Sequence, residues 1–378
     1  MKKMTRKARQ VIVRMALAHR QGRSGRRAGN RSAAASQPNT FNREIVSLIE
    51  AGINAEIKKN NRLVLILPSV MNFSTDYEET ARYINFIRKL TSEPRSIYKY
   101  RLTRVAFSKL KKISTSAALV LTAELSKWDD AIRNTLVPSI QDWDSEILKR
   151  FTQLGFFELF DKKPTYALPS VKNGGIDVVK YIKGRCGDKD KVKVLKAGIA
   201  GIVGDAVGKW TFLDSGLSEA ITNVTHHAYP EKYGFQDDDK NWYLTGGYNK
   251  GNNELKIIFY DQGIGIPKSL PASEFWEVVA KVLDKLPLGT RFQDEVMLKA
   301  AVELNRTSTG DVDRGKGLPD LLQFIKQRGG GYLSILSGHA LYKYTLNAAE
   351  GGGRVKSERF VDPIKGTLII WKVVLNEG

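Results

Sequence analysis

The sequence predicts an α/β protein in two unequal parts. Three observations predict it. Residues 41–165 alternate strand, helix, strand, helix, and residues 166–378 alternate again around a clear β-hairpin. The length, 378 residues, suits two domains, and a composition 42% hydrophobic and 26% charged supplies both with a core.

In the first part, 63–68 (LVLILP) is a short apolar run of the kind that forms a buried strand. Ala81, Ile84, Ile87 and Leu90 share one face of a helix over 78–91. A second strand is expected at 97–107, a helix at 116–126 and another at 144–154, with Gly155 as its C-cap. Pro164 and the turn Asn173-Gly174-Gly175 mark the exit.

The second part opens with helices expected at 176–183, 190–208 and 213–228. A hairpin follows, with strands 241–245 and 254–260 about a turn at Asn249–Asn253. Helices at 274–286, 291–304 and 317–328 lead to strands at 332–336, 341–346 and 367–375. No repeat of solenoid period is present.

Residues 1–40 stand apart. Lys plus Arg total 60 against 40 Asp plus Glu, a net charge of +20. Eleven of these basic residues, from Lys2 to Arg31, lie in the first 40 positions with no acid among them. Removing those eleven leaves +9 for the remainder. A basic helix is expected at 4–20, and the Gly/Ser/Arg-rich 21–40 is expected to be disordered. Such a tail reads either as a solvated, mobile segment or as a binder of DNA or RNA phosphates; its composition also resembles an organelle transit peptide. A cytoplasmic protein is the expectation. No apolar stretch approaches the ~20 residues of a membrane span. The single cysteine, Cys186, excludes an internal disulfide, and four histidines with no Cys/His cluster give no structural zinc site.

Residues 204–210 (GDAVGKW) superficially resemble a phosphate loop. The spacing is wrong, however, and Trp210 stands where Ser or Thr should hold magnesium. The informative segments are three others. In 217–230 (LSEAITNVTHHAYP), Glu219 and Asn223 fall on one helix face, where a carboxylate can activate a nucleophile beside a magnesium-holding amide. Taken alone, such a pair is common on exposed helices. In 257–267 (IIFYDQGIGIP), an apolar strand ends in Asp261, an acceptor for an exocyclic amine. Gly263, Gly265 and Pro267 then shape a tight exit that would equally suit a capped turn. In 314–318 (RGKGL), glycines run into a helix whose N-terminus favours phosphate, with Lys316 adding charge. Gly366-Thr367 opens the last strand.

In order and spacing these segments resemble the GHKL superfamily of ATPases, which includes gyrase B, MutL and the histidine kinases, over about 170–378. Residues 217–230 are similar to the family's N-box, 261–267 to its first glycine box (DxGxG) and 314–318 to its second. The resemblance implies a Bergerat-type α/β sandwich over 166–378 that binds ATP and magnesium. Asp261 and Thr367 would then hold adenine, Asn223 the metal, and Glu219 would be the general base. Gly263 and Gly265 would shape the adenine side, Gly315, Lys316 and Gly317 would cradle phosphates, and 267–314 would contain a mobile lid.

Glu219 replaces the Asn common in histidine kinases, and His19 has no acidic neighbour to suit a phosphoacceptor. The string EAITN-x-x-x-HAYP looks most like the anti-sigma-factor serine kinases, which makes His227 a motif residue; a packing histidine is the other reading. Residues 55–165, within 41–165, resemble a STAS domain, the fold on which those kinases act. Ser114, Thr115 and Ser116 sit where such substrates carry their acceptor, and also where serines cap helices. The expectation is therefore an ATPase switch coupled to a protein partner or homodimer. The alternatives are a serine/threonine kinase acting on a STAS-type partner, and a non-hydrolysing ATP sensor that binds nucleic acid.

Overall fold

The computed structural model describes residues 37–91, 100–128, 137–159, 175–204, 210–273, 276–304, 318–347 and 352–375. The basic segment 1–36 and the glycine run 314–317 lie outside these. Among the described residues the chain is mixed α/β and forms two compact units. One spans 37–181 with Thr245–Gly251; the other spans Ile182–Leu244 and 252–375.

The first unit contains α1 (Gln37–Glu50), β1 (Ala55–Lys58), β2 (Arg62–Ile66), β3 (Val70–Met71), α2 (Tyr77–Thr91), β4 (Arg101–Ala106), β5 (Lys112–Ile113), α3 (Thr115–Leu125), α4 (Ser145–Leu154) and β6 (Ile176–Val178). Its sheet runs β1-β2-β4, antiparallel then parallel, with α2 as the crossover between the parallel strands. Helix α3 is buried along its whole length, which is why its sequence is apolar all round. Its one acid, Glu124, is 4% exposed and receives Nε and Nη2 of Arg88 from α2 at 3.1 and 2.7 Å. Ser114 caps α3, its hydroxyl accepting from the Ala117 N–H at 3.2 Å, while Thr115 and Ser116 are buried. Asp144 caps α4 and Gly155 ends it in the left-handed region. Phe107 and Trp143 stack at 3.9 Å, with Phe151 and Phe156 around them.

The second unit contains β7 (Ile182–Arg185), α5 (Lys191–Val203), α6 (Thr211–Asn223), the first half of β8 (Asn241–Asn249), β9 (Glu254–Asp261), α7 (Ile266–Ser269), α8 (Trp276–Leu283), α9 (Asp294–Leu304), α10 (Leu318–Gln327), β10 (Gly331–Asn347) and β11 (Gly352–Val374). Its strands run β10-β11-β9-β8, with β7 pairing antiparallel to β8. Helix α10 lies along α6 and against β10. Trp371 of β11 donates its indole N–H to Leu321 O of α10 at 2.9 Å, fixing helix to sheet. No helix among the described residues is long and apolar enough to cross a membrane.

Three expectations are corrected. The helix at 176–183 is instead strands β6 and β7. Ile182 and Gly184 are buried while Lys183 and Arg185 are exposed, the period-two pattern of a strand. The strands expected at 332–336 and 341–346 are one strand, because Ser337-Gly338 is a bulge and not a turn: Gly338 takes φ +61° and the register shifts there. The last strand begins at Gly352 rather than 367. Its first half pairs only with β10 and is largely exposed, so it carries polar residues without alternation. Pro363 sits in the interruption between Arg359 and Ile364, where the ladder needs no N–H from it.

Candidate functional site

The site is built where α6 ends against the exit of β9. Along α6, Glu219 and Asn223 lie one turn apart, and Asn223 Nδ2 donates to Glu219 Oε1 at 2.9 Å. The amide oxygen of Asn223 takes no donor among the described residues. Beyond Asn223 the helix widens into a π-turn over Val224–Ala228, an irregularity frequent at functional sites. His227 lines the same cavity as Ala220 and Val224.

Strand β9 delivers Asp261 into the interior, 3% exposed. Its Oδ1 accepts from Gly263 N at 2.8 Å, and the hydroxyl and backbone N–H of Thr367, its partner in register on β11, also donate to it. Burial pushes the carboxyl up to about 7, against the opposing pull of these donors. The loop then turns back onto the helix end, Ile264 N donating to Ala228 O at 2.9 Å. A Cβ on Gly263 would stand 2.4 Å from that oxygen, so only glycine allows this approach.

Together these elements enclose a cavity of about 80 Å³. Glu219, Asn223, His227, Asp261, Gly265 and Thr367 line it, with apolar walls from Phe259, Ile266, Leu270, Ala301 and Ile369. One cavity thus collects residues from the segments 217–230 and 257–267 together with Thr367. Gly263 does not line it; its work is packing against Ala228. Gly315, Lys316 and Gly317 lie outside the described residues.

Two residues that carry the site were not singled out from the sequence. Ser337, at the β10 bulge, accepts from Ile266 N at 2.9 Å and donates to Gly366 O at 2.9 Å, with Thr367 Oγ1 3.2 Å away. It holds the loop after Asp261 to the opening of the paired strand segment. Tyr229 donates its hydroxyl to Asn241 O at 2.5 Å and accepts from Gln262 N at 3.1 Å, tying the end of the π-turn to the residue after Asp261. Burial, with the Asp261 charge behind it, raises its phenol far above the ordinary range. Tyr229 stood within the motif segment, and its proximity to His227 was the available signal; Ser337 offered none.

Among the described residues, no group of three or more His, Cys, Asp or Glu side chains is placed to hold a metal. What the site offers a hard cation is amide and carboxylate oxygen, a set that suits magnesium only where a ligand's own oxygens and water complete the shell. Compared with known proteins, the chain matches no family model and no curated protein.

Proposed function

We propose that the second unit is a GHKL-type ATPase domain of Bergerat fold, joined to a STAS-like unit, and that it works as an ATP-driven switch for a protein partner. The observation that carries this reading is the single cavity into which Glu219, Asn223, Asp261, Gly265 and Thr367 converge. Adenine would enter the apolar part, its exocyclic amine donating to Asp261 beside Thr367. Gly265, φ +83°, lets the backbone run along the cavity wall.

Magnesium, when bound with the nucleotide, would neutralise phosphate charge, and the Asn223 amide oxygen would be its protein ligand. Glu219 would orient and deprotonate the attacking water. Glu219 accepts from Asn223 and lines the same cavity. Lid movement over the filled site would pass the nucleotide state to the partner.

Phosphate transfer to this chain's own Ser114–Ser116 is the weaker reading, because Ser114 is occupied as a helix cap and its two neighbours are buried. The deciding experiment is ATP turnover by the purified chain with magnesium, compared with Glu219→Ala. Magnesium-dependent release of phosphate that disappears in the variant supports the ATPase; equal turnover removes Glu219 as base. Labelled protein after incubation with γ-labelled ATP would favour the kinase instead.

A further inference from the structure

Next to the inner cavity is a wider depression of about 510 Å³. His227 and Ser269 line both, so the two adjoin. The charged character changes from one to the other. Glu219 and Asp261 line the inner cavity, whereas Lys232, Lys268 and His226 line the depression, with no carboxylate among its lining residues. The two lysines come from different elements, one on the 3-10 turn after Pro230 and the other on α7.

These lysines are placed unlike others of the same unit. Lys191, Lys193, Lys196 and Lys240 each bind a nearby aspartate at 2.7–3.0 Å. Among the described residues, Lys232 and Lys268 have no carboxylate partner; Lys232 only lies over the Tyr233 ring at 5.2 Å. Glu231 adjoins Lys232 in sequence but does not line the depression. Two lysines lining one concave surface, with no carboxylate among its lining residues, suit a ligand anion.

We propose that Lys232 and Lys268 bind the phosphate chain of a nucleotide whose ring occupies the inner cavity. This rests on the nucleotide reading above and extends it to residues outside all three motifs. It makes the lysines determinants of ligand class: they favour a di- or triphosphate over the uncharged nucleoside, and they make binding salt-sensitive.

The test is calorimetric titration of the full chain with ATP, ADP and adenosine at two salt concentrations, using ligand-observed NMR where adenosine binds weakly. The variants are Lys232→Gln, Lys268→Gln and the double substitution, with Lys193→Gln as an exposed control. The double variant is expected to lose at least tenfold in affinity for ATP and ADP and part of the salt dependence. Its adenosine affinity should stay unchanged, which also shows that the inner cavity is intact. Wild-type affinity for ATP in the double variant would overturn the proposal while leaving the nucleotide reading standing, as would equal wild-type affinity for ATP and adenosine. A wild-type chain that binds none of the three overturns the nucleotide reading and this proposal with it.

Discussion

Asn223 donates its side-chain N–H to Oε1 of Glu219 at 2.9 Å, across a single turn of α6. The bond gives the two side chains different tasks. It takes one N–H of the amide and leaves the acceptor end for a cation, while it holds the carboxylate without neutralising it. Glu219→Gln preserves the acceptor for Asn223 and removes only the base. Turnover of ATP is expected to fall by about 10²–10⁴-fold with nucleotide affinity within a few fold of wild type. Measuring both on one preparation checks this; affinity lost together with turnover would mean that Glu219 serves binding instead.

Asp261 makes stability depend on pH in an unusual direction. Its carboxyl titrates at about 7 in the folded chain against 3.8 for an unhindered aspartate, because burial opposes its charge. The folded state therefore holds the proton more tightly. This contribution is fully present below pH 3.8 and is lost as pH rises through 7. The span corresponds to at most about 4 kcal/mol. Asp261→Asn carries no such titration. Thermal unfolding of wild type minus variant is expected to fall between pH 5 and pH 8, although the misplaced amide donors add a constant offset. A difference that stays flat over that window contradicts the burial argument. Nucleotide affinity should fall in the variant at either pH.

The parts of the site legible in sequence were those written locally. Four-residue spacing puts Glu219 and Asn223 on one helix face, and an apolar run ending in Asp-x-Gly-x-Gly marks a strand and its exit. The convergence of Asp261 with Thr367 was available only through resemblance, because their register is set across two strands distant in sequence. Ser337 was not legible. Its value depends on a bulge, and Ser-Gly-His inside an apolar stretch looks like a turn rather than an interrupted strand. The first half of β11 was missed for a related reason: a ribbon exposed on both faces has no hydrophobic period to detect.

Gly263 is expected to be intolerant of the smallest side chain. A Cβ there would meet Ala228 O at 2.4 Å and Ala228 Cβ at 2.6 Å, contacts that neither backbone can relieve without breaking the Ile264–Ala228 bond. Gly263→Ala should cost about 1–3 kcal/mol by overpacking and weaken nucleotide binding. Gly289→Ala is the control, since nothing lies within 4 Å of its Cβ and its backbone is not left-handed. Denaturant unfolding of the two variants should separate them; equal stability would show that the loop can move away from the helix.

The first unit makes a separate prediction through Arg88 and Glu124. The carboxylate is 4% exposed and its two oxygens are met by two guanidinium nitrogens, so the pair is desolvated but well bonded. Removing Arg88 alone leaves a buried carboxylate without its guanidinium, whereas removing both does not. Arg88→Ala is expected to destabilise this unit by about 3–5 kcal/mol. The double substitution Arg88→Met with Glu124→Leu should recover most of that, because both side chains then contribute apolar volume to the helix–helix contact. Equilibrium unfolding of the single and double variants reads the difference directly. A double variant no more stable than Arg88→Ala would mean that the bidentate geometry itself holds α2 against α3, beyond the penalty of burying Glu124 without its guanidinium.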